Sequence, residues 1–203
     1  PTLTDNHAAA LRKLFDGPKH AETGERIFKG VPFGASFAGS HGHLYLFRWV
    51  FGADRKPEDI NFGKDIDTYT ATLGPYLNAE NPDLTSFGKR GGKLLIFSGT
   101  ADEVVPYHAT LDYYDRIIEH FGSEEKAAAF SRFYLIPGMS HGGGPGMTQL
   151  PDMLTVIRDW REKGIAPDAL QARGTPNGGK SISIPIYPYP LKTLWDAAAM
   201  NYK

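Results

Sequence analysis

Apolar residues recur at helical spacing near the start of the chain. Residues 4–15 carry an apolar face, with Thr4 in the position of an N-cap and with Gly17 and Pro18 following as stop signals. The pattern therefore predicts a helix over this segment. The members of its apolar face are Ala8, Leu11 and Phe15.

The chain up to residue 83 otherwise lacks a long periodic pattern. Residues 17–43 are rich in glycine and predict loops, and residues 54–83 are polar and rich in turn residues. Between them, the aromatic run 44–51 fits either a short helix or a strand, because its apolar positions do not favour one period over the other. This part of the chain is therefore predicted to be dominated by loops and turns.

After residue 84 the pattern changes to short apolar runs that alternate with helical stripes. The runs 93–97 and 132–136 are bounded by turn residues, which is typical of buried parallel strands. A helical stripe follows each run, over residues 108–121 and 147–163. This alternation predicts an open α/β sheet with right-handed crossovers.

The last part of the chain has a different composition. Residues 173–190 are rich in glycine and proline, and no strand is predicted there. Residues 191–200 fit a final short helix.

Composition and charge exclude several classes of function. Among 203 residues, 22 are Lys or Arg and 23 are Asp or Glu, which gives a net charge of −1. This near-neutrality argues against a nucleic-acid partner and gives no support for binding to an anionic membrane. The chain has no cysteine, so it holds no disulfide, thiol nucleophile or cysteine-based metal site. No apolar stretch is long enough to predict a membrane span.

Two acid–base residues follow the two predicted strands. Asp102 lies just beyond strand 93–97, and His141 lies just beyond strand 132–136. Each alone is more typical of a turn, but adjacent parallel strands would bring the two loops side by side. A carboxylate that orients a catalytic imidazole needs this placement, and acid before histidine is the order in α/β-hydrolases. We therefore expect Asp102 to form a hydrogen bond with His141.

Several segments resemble the tannase and feruloyl esterase family. Segment 91–102 is similar to the acid-bearing segment of that family, and segment 134–146 closely resembles its histidine segment. Three further similarities follow: a specific one to the family's next helix and loop, one to the end of its closing motif, and weaker ones to the late part of its lid. They lie at residues 159–168, at 187–190, and at 3–4, 16–18 and 23–28.

The resemblance implies the C-terminal part of an α/β-hydrolase parallel sheet, preceded by the late part of a lid insertion. The lid part would be residues 1–84 and the hydrolase part residues 85–203. It also implies a serine-type carboxylesterase acting on aromatic-acid esters, such as feruloyl or galloyl esters, with Asp102 as the triad acid and His141 as the triad base.

Two departures from the family pattern affect this interpretation. Many family members carry a cysteine directly after the triad histidine, disulfide-bonded to a cysteine before the nucleophilic serine, whereas Gly142 stands here. The resemblance also implies that the chain begins inside the lid. We therefore expect the nucleophilic serine, and any structural calcium of the lid, to lie upstream, and we expect no cofactor in this chain.

One serine within the chain imitates a nucleophile. Ser40 stands in Ala-Gly-Ser-His-Gly, but residues 30–37 before it hold a proline and two glycines and do not fit the strand that a nucleophile elbow needs. We interpret Ser40 as a loop residue. His41 and His43 could join His141 in a metal site, but no acidic ligand pattern accompanies them, and we expect no metal. Ser98 and Ser140 are expected to be hydrogen-bonding neighbours of the triad residues.

The partners expected are a small aromatic ester and the segment that carries the nucleophilic serine. That segment would be the upstream part of the same protein or a partner chain; no nucleic acid and no membrane is expected. Expressed by itself, the chain is expected to lack ester turnover and to aggregate, self-associate or pair with an upstream fragment. We expect a secreted or periplasmic location. The alternative is a non-catalytic ligand-binding fragment, or a half-enzyme that needs a partner chain.

Overall fold

The computed structural model describes residues 2–36, 44–144, 146–175, 178–196 and 201–202. The chain divides into two compact units, one comprising residues up to 80 except 34–36, and the other comprising residues 34–36 and those from 81 onward. A division into compact units does not show that either unit is a lid or a hydrolase domain. The predicted boundary between these domains, after residue 84, therefore stays a prediction.

The first unit begins with two helices. Helix α1 (Asp5–Asp16) lies where the apolar face predicts it, and Thr4 is its N-cap. The backbone N–H of His7 donates to the Thr4 hydroxyl at 3.3 Å, which satisfies one of the free donors of the first turn. Helix α2 (Leu44–Phe51) shows that the aromatic run is helical.

A third helix corrects the prediction that residues 54–83 are only turn-rich. A short 3-10 helix (Pro57–Asp59) is followed by α3 (Lys64–Leu77). Gly74 and the following proline suggest a turn in the sequence, but both lie in the last part of α3. Tertiary packing outweighs their low helix propensity, because Tyr69 of α3 stacks on Phe47 of α2 with ring centroids 5.9 Å apart.

The second unit is built on two parallel strands. After the short helix α4 (Thr85–Lys89), β1 (Leu94–Gly99) pairs in parallel with β2 (Ser131–Ile136). Helices α5 (Tyr107–Phe121) and α6 (Glu124–Ala128) connect the two strands. The predicted strands and the predicted helix over 108–121 are therefore confirmed, with small changes at their ends.

Strand β2 lies at the centre of the core of this unit. Phe133 is fully buried on the face that packs against α5, whereas Tyr134 and Ile136 are fully buried within a second apolar cluster. Successive side chains of a strand point to opposite faces, so β2 contributes to both clusters. Burial raises the pKa of Tyr134, and its hydroxyl donates to the backbone oxygen of Pro167 at 2.5 Å.

The end of the chain differs from its prediction. Strands β3 (Leu170–Gly174) and β4 (Ile182–Ile186) form an antiparallel pair, and their buried residues belong to the cluster around Tyr134. Farther on, β5 (Trp195–Asp196) pairs with β6 (Asn201–Tyr202). The helix predicted over 191–200 is wrong at residues 191–196, because a short apolar segment does not distinguish helix from strand; residues 197–200 lie outside the described residues.

Helix α7 begins later than predicted. It spans Met153–Lys163 and not residues 147–163. Pro151 disfavours helical geometry in the residue before it, and Asp152 caps the helix by accepting the N–H of Leu154 at 3.1 Å. Met147, which was assigned to the helix, is instead buried in the core.

One edge of the parallel pair is open. Among the described residues β1 pairs only with β2, and Phe97 in β1 keeps 45% of its surface exposed. In the same part of the chain, no helix has both the length and the apolar character to cross a membrane. The unit thus offers an unpaired strand edge beside the loops that follow β1 and β2.

Candidate active site

The two predicted acid–base residues lie together at the carboxyl end of the parallel pair. Asp102 follows β1 and His141 follows β2. The Nδ1 atom of His141 is 3.2 Å from the Oδ2 atom of Asp102. The hydrogen bond expected from their positions after adjacent strands is therefore present, because parallel strands deliver both loops to one edge of the sheet.

The Asp102 carboxylate is held in place by its own loop. Its Oδ1 atom accepts the backbone N–H groups of Val104 at 2.9 Å and Val105 at 2.8 Å. Only 9% of the residue is exposed, so these bonds lie in a shielded environment. Asp102 is thus both a turn-forming residue and the partner of the imidazole, with one oxygen serving each purpose.

His141 is more accessible than its partner. Its side chain is 52% exposed, and within the described residues its Nε2 atom has no hydrogen-bond partner. It lies in a tight turn in which the N–H of Ser140 donates to the oxygen of Gly143 at 2.7 Å. With Nδ1–H directed at a carboxylate, Nε2 keeps a lone pair that can accept a proton from a reacting group.

Backbone and side-chain contacts join two loops at this edge of the sheet. The acid loop (residues 100–106) follows β1, and the histidine loop (residues 137–152) follows β2. The N–H of Gly138 donates to the Thr100 hydroxyl at 2.9 Å, and the N–H of Ala101 donates to the oxygen of Met139 at 3.0 Å. A Cβ atom on Gly99 would lie 2.0 Å from the same Met139 oxygen. The sequence carries one signal for this close approach of the two loops, a glycine that ends an apolar strand.

The serines predicted to be neighbours of the triad residues form hydrogen bonds. The Ser98 hydroxyl donates to the Thr110 hydroxyl at 3.1 Å, and the Ser140 hydroxyl donates to the oxygen of Gly143 at 3.0 Å. Ser40, together with His41 and His43, lies outside the described residues. Across the described part of the chain, no group of three or more His, Cys, Asp or Glu side chains is placed to hold a metal ion.

Comparison with known protein families gives one match over most of the chain. The family model described as "Tannase and feruloyl esterase" matches residues 54–202, which include both Asp102 and His141. A mono(2-hydroxyethyl) terephthalate hydrolase from Piscinibacter sakaiensis is 38% identical over 144 residues, which are 64% of this chain and 23% of the relative. A probable feruloyl esterase from Arthroderma benhamiae is 29% identical over 202 residues, covering 88% of this chain and 37% of the relative.

Solved structures show the same fold. The tannin acyl hydrolase from Aspergillus niger superposes with a TM-score of 0.83 at 21% identity and covers 100% of this chain. Feruloyl esterase B from Aspergillus oryzae superposes with a TM-score of 0.78 at 19% identity and covers 95% of it. This chain in turn spans 43% of each of those two chains, and less than two fifths of the two sequence relatives.

Proposed function

Because the chain belongs to the tannase and feruloyl esterase family, we propose that its protein hydrolyses carboxylic esters of aromatic acids through a Ser-His-Asp mechanism. Asp102 is the acid and His141 is the base. The observation that carries the proposal is the 3.2 Å contact between a buried carboxylate and Nδ1 of a half-exposed imidazole. This geometry holds the ring in place on one side and leaves Nε2 accessible on the other.

In the proposed reaction the Nε2 atom of His141 removes the proton from a serine hydroxyl while that oxygen attacks the ester carbonyl carbon. The imidazolium then gives the proton to the departing alcohol, and an acyl-enzyme remains. A water molecule then attacks the acyl carbonyl carbon while Nε2 accepts its proton, and the imidazolium returns that proton to the serine oxygen as the acyl–oxygen bond breaks and the carboxylic acid is released. Asp102 keeps the proton of the neutral ring on Nδ1 and stabilises the imidazolium when it forms.

We assign the nucleophilic serine to the upstream part of the same protein or to a partner chain. Two observations support this assignment. The chain spans 43% of the similar solved structures, and within the described residues β1 has an open edge that a further parallel strand could pair with. Phe97, half-exposed on β1, would be covered by such a strand.

The substrate class follows from what the relatives have in common. The names of the two sequence relatives specify a terephthalate monoester and feruloyl esters, both of which are esters of aromatic carboxylic acids. We extend this class to the present protein. A secreted or periplasmic location remains part of the proposal.

The test is ester turnover by the protein expressed from its full reading frame, measured with 4-nitrophenyl benzoate. His141→Ala is expected to lower kcat by about 10³-fold or more, because it removes the group assigned to accept the serine proton. His120→Ala is the matched control, since His120 also forms a His–carboxylate pair, with Nε2 3.2 Å from Oδ1 of Asp83. It is expected to leave turnover unchanged.

Three outcomes would contradict the proposal. Wild-type protein that binds aromatic esters but does not hydrolyse them would indicate a non-catalytic binding module. A His141→Ala variant with wild-type turnover would remove the assigned base. A correctly folded Ser40→Ala variant without any activity would place the nucleophile within this chain.

A further inference from the structure

The loops that carry Asp102 and His141 continue the pairing of the two parallel strands. Each of the first three residues after β1 forms a hydrogen bond with a residue of the loop after β2, and the pair assigned to catalysis is the last of these contacts. In order, Thr100 bonds to Gly138, Ala101 to Met139, and Asp102 to His141. The position of the imidazole relative to the carboxylate therefore depends on the two contacts before it.

These two contacts differ in kind. The bond between Ala101 and Met139 joins backbone atoms, so no side-chain substitution removes it directly. The bond at Thr100 uses a side-chain oxygen, Oγ1, to accept the backbone N–H of Gly138 at 2.9 Å, in a partly buried position. Among the described contacts between the two loops that precede the catalytic pair, it is the one that depends on the identity of a side chain.

We propose that Thr100 is a positioning residue, whose hydroxyl sets the separation of Asp102 and His141 by holding the backbone at Gly138. The inference rests on the proposed function, since it concerns the same pair of groups. Thr100 acts through the histidine loop and has no contact with the reacting atoms in this assignment. Loss of the bond frees the start of the histidine loop and leaves a partly buried N–H without an acceptor.

The expected effect is on turnover and not on binding. A displacement of about 1 Å in a catalytic group lowers rates by up to about 100-fold. Thr100→Val keeps the branched shape of the side chain and removes the acceptor, so kcat is expected to fall about 10-fold to 100-fold while KM changes little. Thr100→Ser keeps the hydroxyl and is expected to restore most of kcat.

The experiment measures kcat, KM and melting temperature for the protein expressed from its full reading frame. Thr110→Val is the matched control, because the Thr110 hydroxyl accepts a hydrogen bond from Ser98 and joins β1 to α5 without touching the histidine loop. It removes a comparable hydrogen bond and is expected to leave kcat unchanged. Should Thr100→Val fail to fold, Thr100→Ala is compared with the same control by the same criteria.

A double-mutant cycle separates positioning from a general loss of structure. In the Asp102→Asn background the pair is already disrupted, so adding Thr100→Val is expected to lower kcat no further. Three results would each overturn the inference. The first is that Thr100→Val lowers kcat equally in the wild-type and Asp102→Asn backgrounds. The others are a Thr100→Val variant as active as Thr110→Val, and a Thr100→Ser variant that does not recover kcat. If Asp102→Asn itself leaves kcat unchanged, the proposed function fails instead.

Discussion

Gly99 occupies a position at which even one added methyl group would strike backbone. It ends β1 and is buried, and a Cβ atom there would lie 2.0 Å from the oxygen and 2.6 Å from the carbonyl carbon of Met139. Carbon–oxygen contacts normally require about 3.3 Å, so Gly99→Ala needs a backbone displacement of about 1 Å. Neither segment can give way by a side-chain rotation, and we expect the free energy of unfolding to fall by about 2 to 3 kcal/mol.

The measurement is urea unfolding followed by tryptophan fluorescence, combined with ester turnover. Turnover is expected to fall as well, because Met139 lies two residues before His141 and moves with the clash. Gly88→Ala is the matched control, because Gly88 lies in helix α4 and its Cβ would lie 3.5 Å from the Phe130 ring. This substitution is expected to leave the free energy of unfolding unchanged or to raise it by up to about 1 kcal/mol. A Gly99→Ala protein with wild-type stability and turnover would refute the close approach of the two loops.

Three further predictions concern Asp102, Asp65 and Asp152, with Asp67 as the exposed control for Asp65. Asp102→Asn is expected to lower kcat by about 10⁴-fold with little change in melting temperature, because an amide favours the wrong ring tautomer but can still accept the backbone N–H groups. Asp65→Ala removes the buried carboxylate that pairs with the guanidinium of Arg55, and it is expected to lower the free energy of unfolding by about 2 to 3 kcal/mol. Asp67→Ala removes an exposed carboxylate that pairs with His20, and it is expected to change the free energy of unfolding by less than about 1 kcal/mol. Hydrogen bonding from Thr155 holds the pKa of Asp152 below its usual value, so the stability lost in Asp152→Ala is expected at neutral pH and vanishes in strong acid.

Each of these expectations has a result that contradicts it. Full turnover of Asp102→Asn would show that the carboxylate does not orient the imidazole. Equal losses in Asp65→Ala and Asp67→Ala would show that burial of the carboxylate has no effect. The Asp152 carboxylate stabilises the folded protein at pH values above the pKa of Asp in the unfolded chain, and this contribution is lost as the pH falls through the lower pKa of the folded state. A stability difference between wild type and Asp152→Ala that persists in strong acid would therefore show that it does not come from the charged carboxylate.

The hydrogen bond between Asp102 and His141 was predictable because both residues lie at strand ends. Runs 93–97 and 132–136 are apolar on both faces, which is typical of parallel strands, and such strands bring Asp102 and His141 to the same edge. What sequence analysis missed depends on tertiary contacts. Nothing local distinguishes the hydroxyl of Thr100, because its partner Gly138 is distant in the chain.

The elements that were predicted wrongly share a cause in their local sequence. Helix α3 was missed because Gly74 and Pro75 are common in turns, and Pro75 lies inside the helix although it has no N–H to donate to the carbonyl four residues before it. Strand β4 was missed because it lies in the glycine- and proline-rich segment 173–190, and β3 was missed because its five residues are too few for their alternation of buried and exposed positions to be recognised. In both segments, packing against the rest of the unit outweighs the local preference of the residues.

The three glycines after His141 have a consequence for the behaviour of the protein on heating. Gly142, Gly143 and Gly144 adopt φ angles of 80°, 142° and 98°, which other residues rarely reach. Ordering three successive glycines loses more chain entropy than ordering other residues, and this loss offsets much of what the hydrogen bonds between Ser140 and Gly143 contribute to the half-exposed turn. The histidine loop is therefore expected to melt locally while the strands beneath it remain folded. Thermal inactivation would then begin below the melting temperature of the unit, and it would be reversed on cooling.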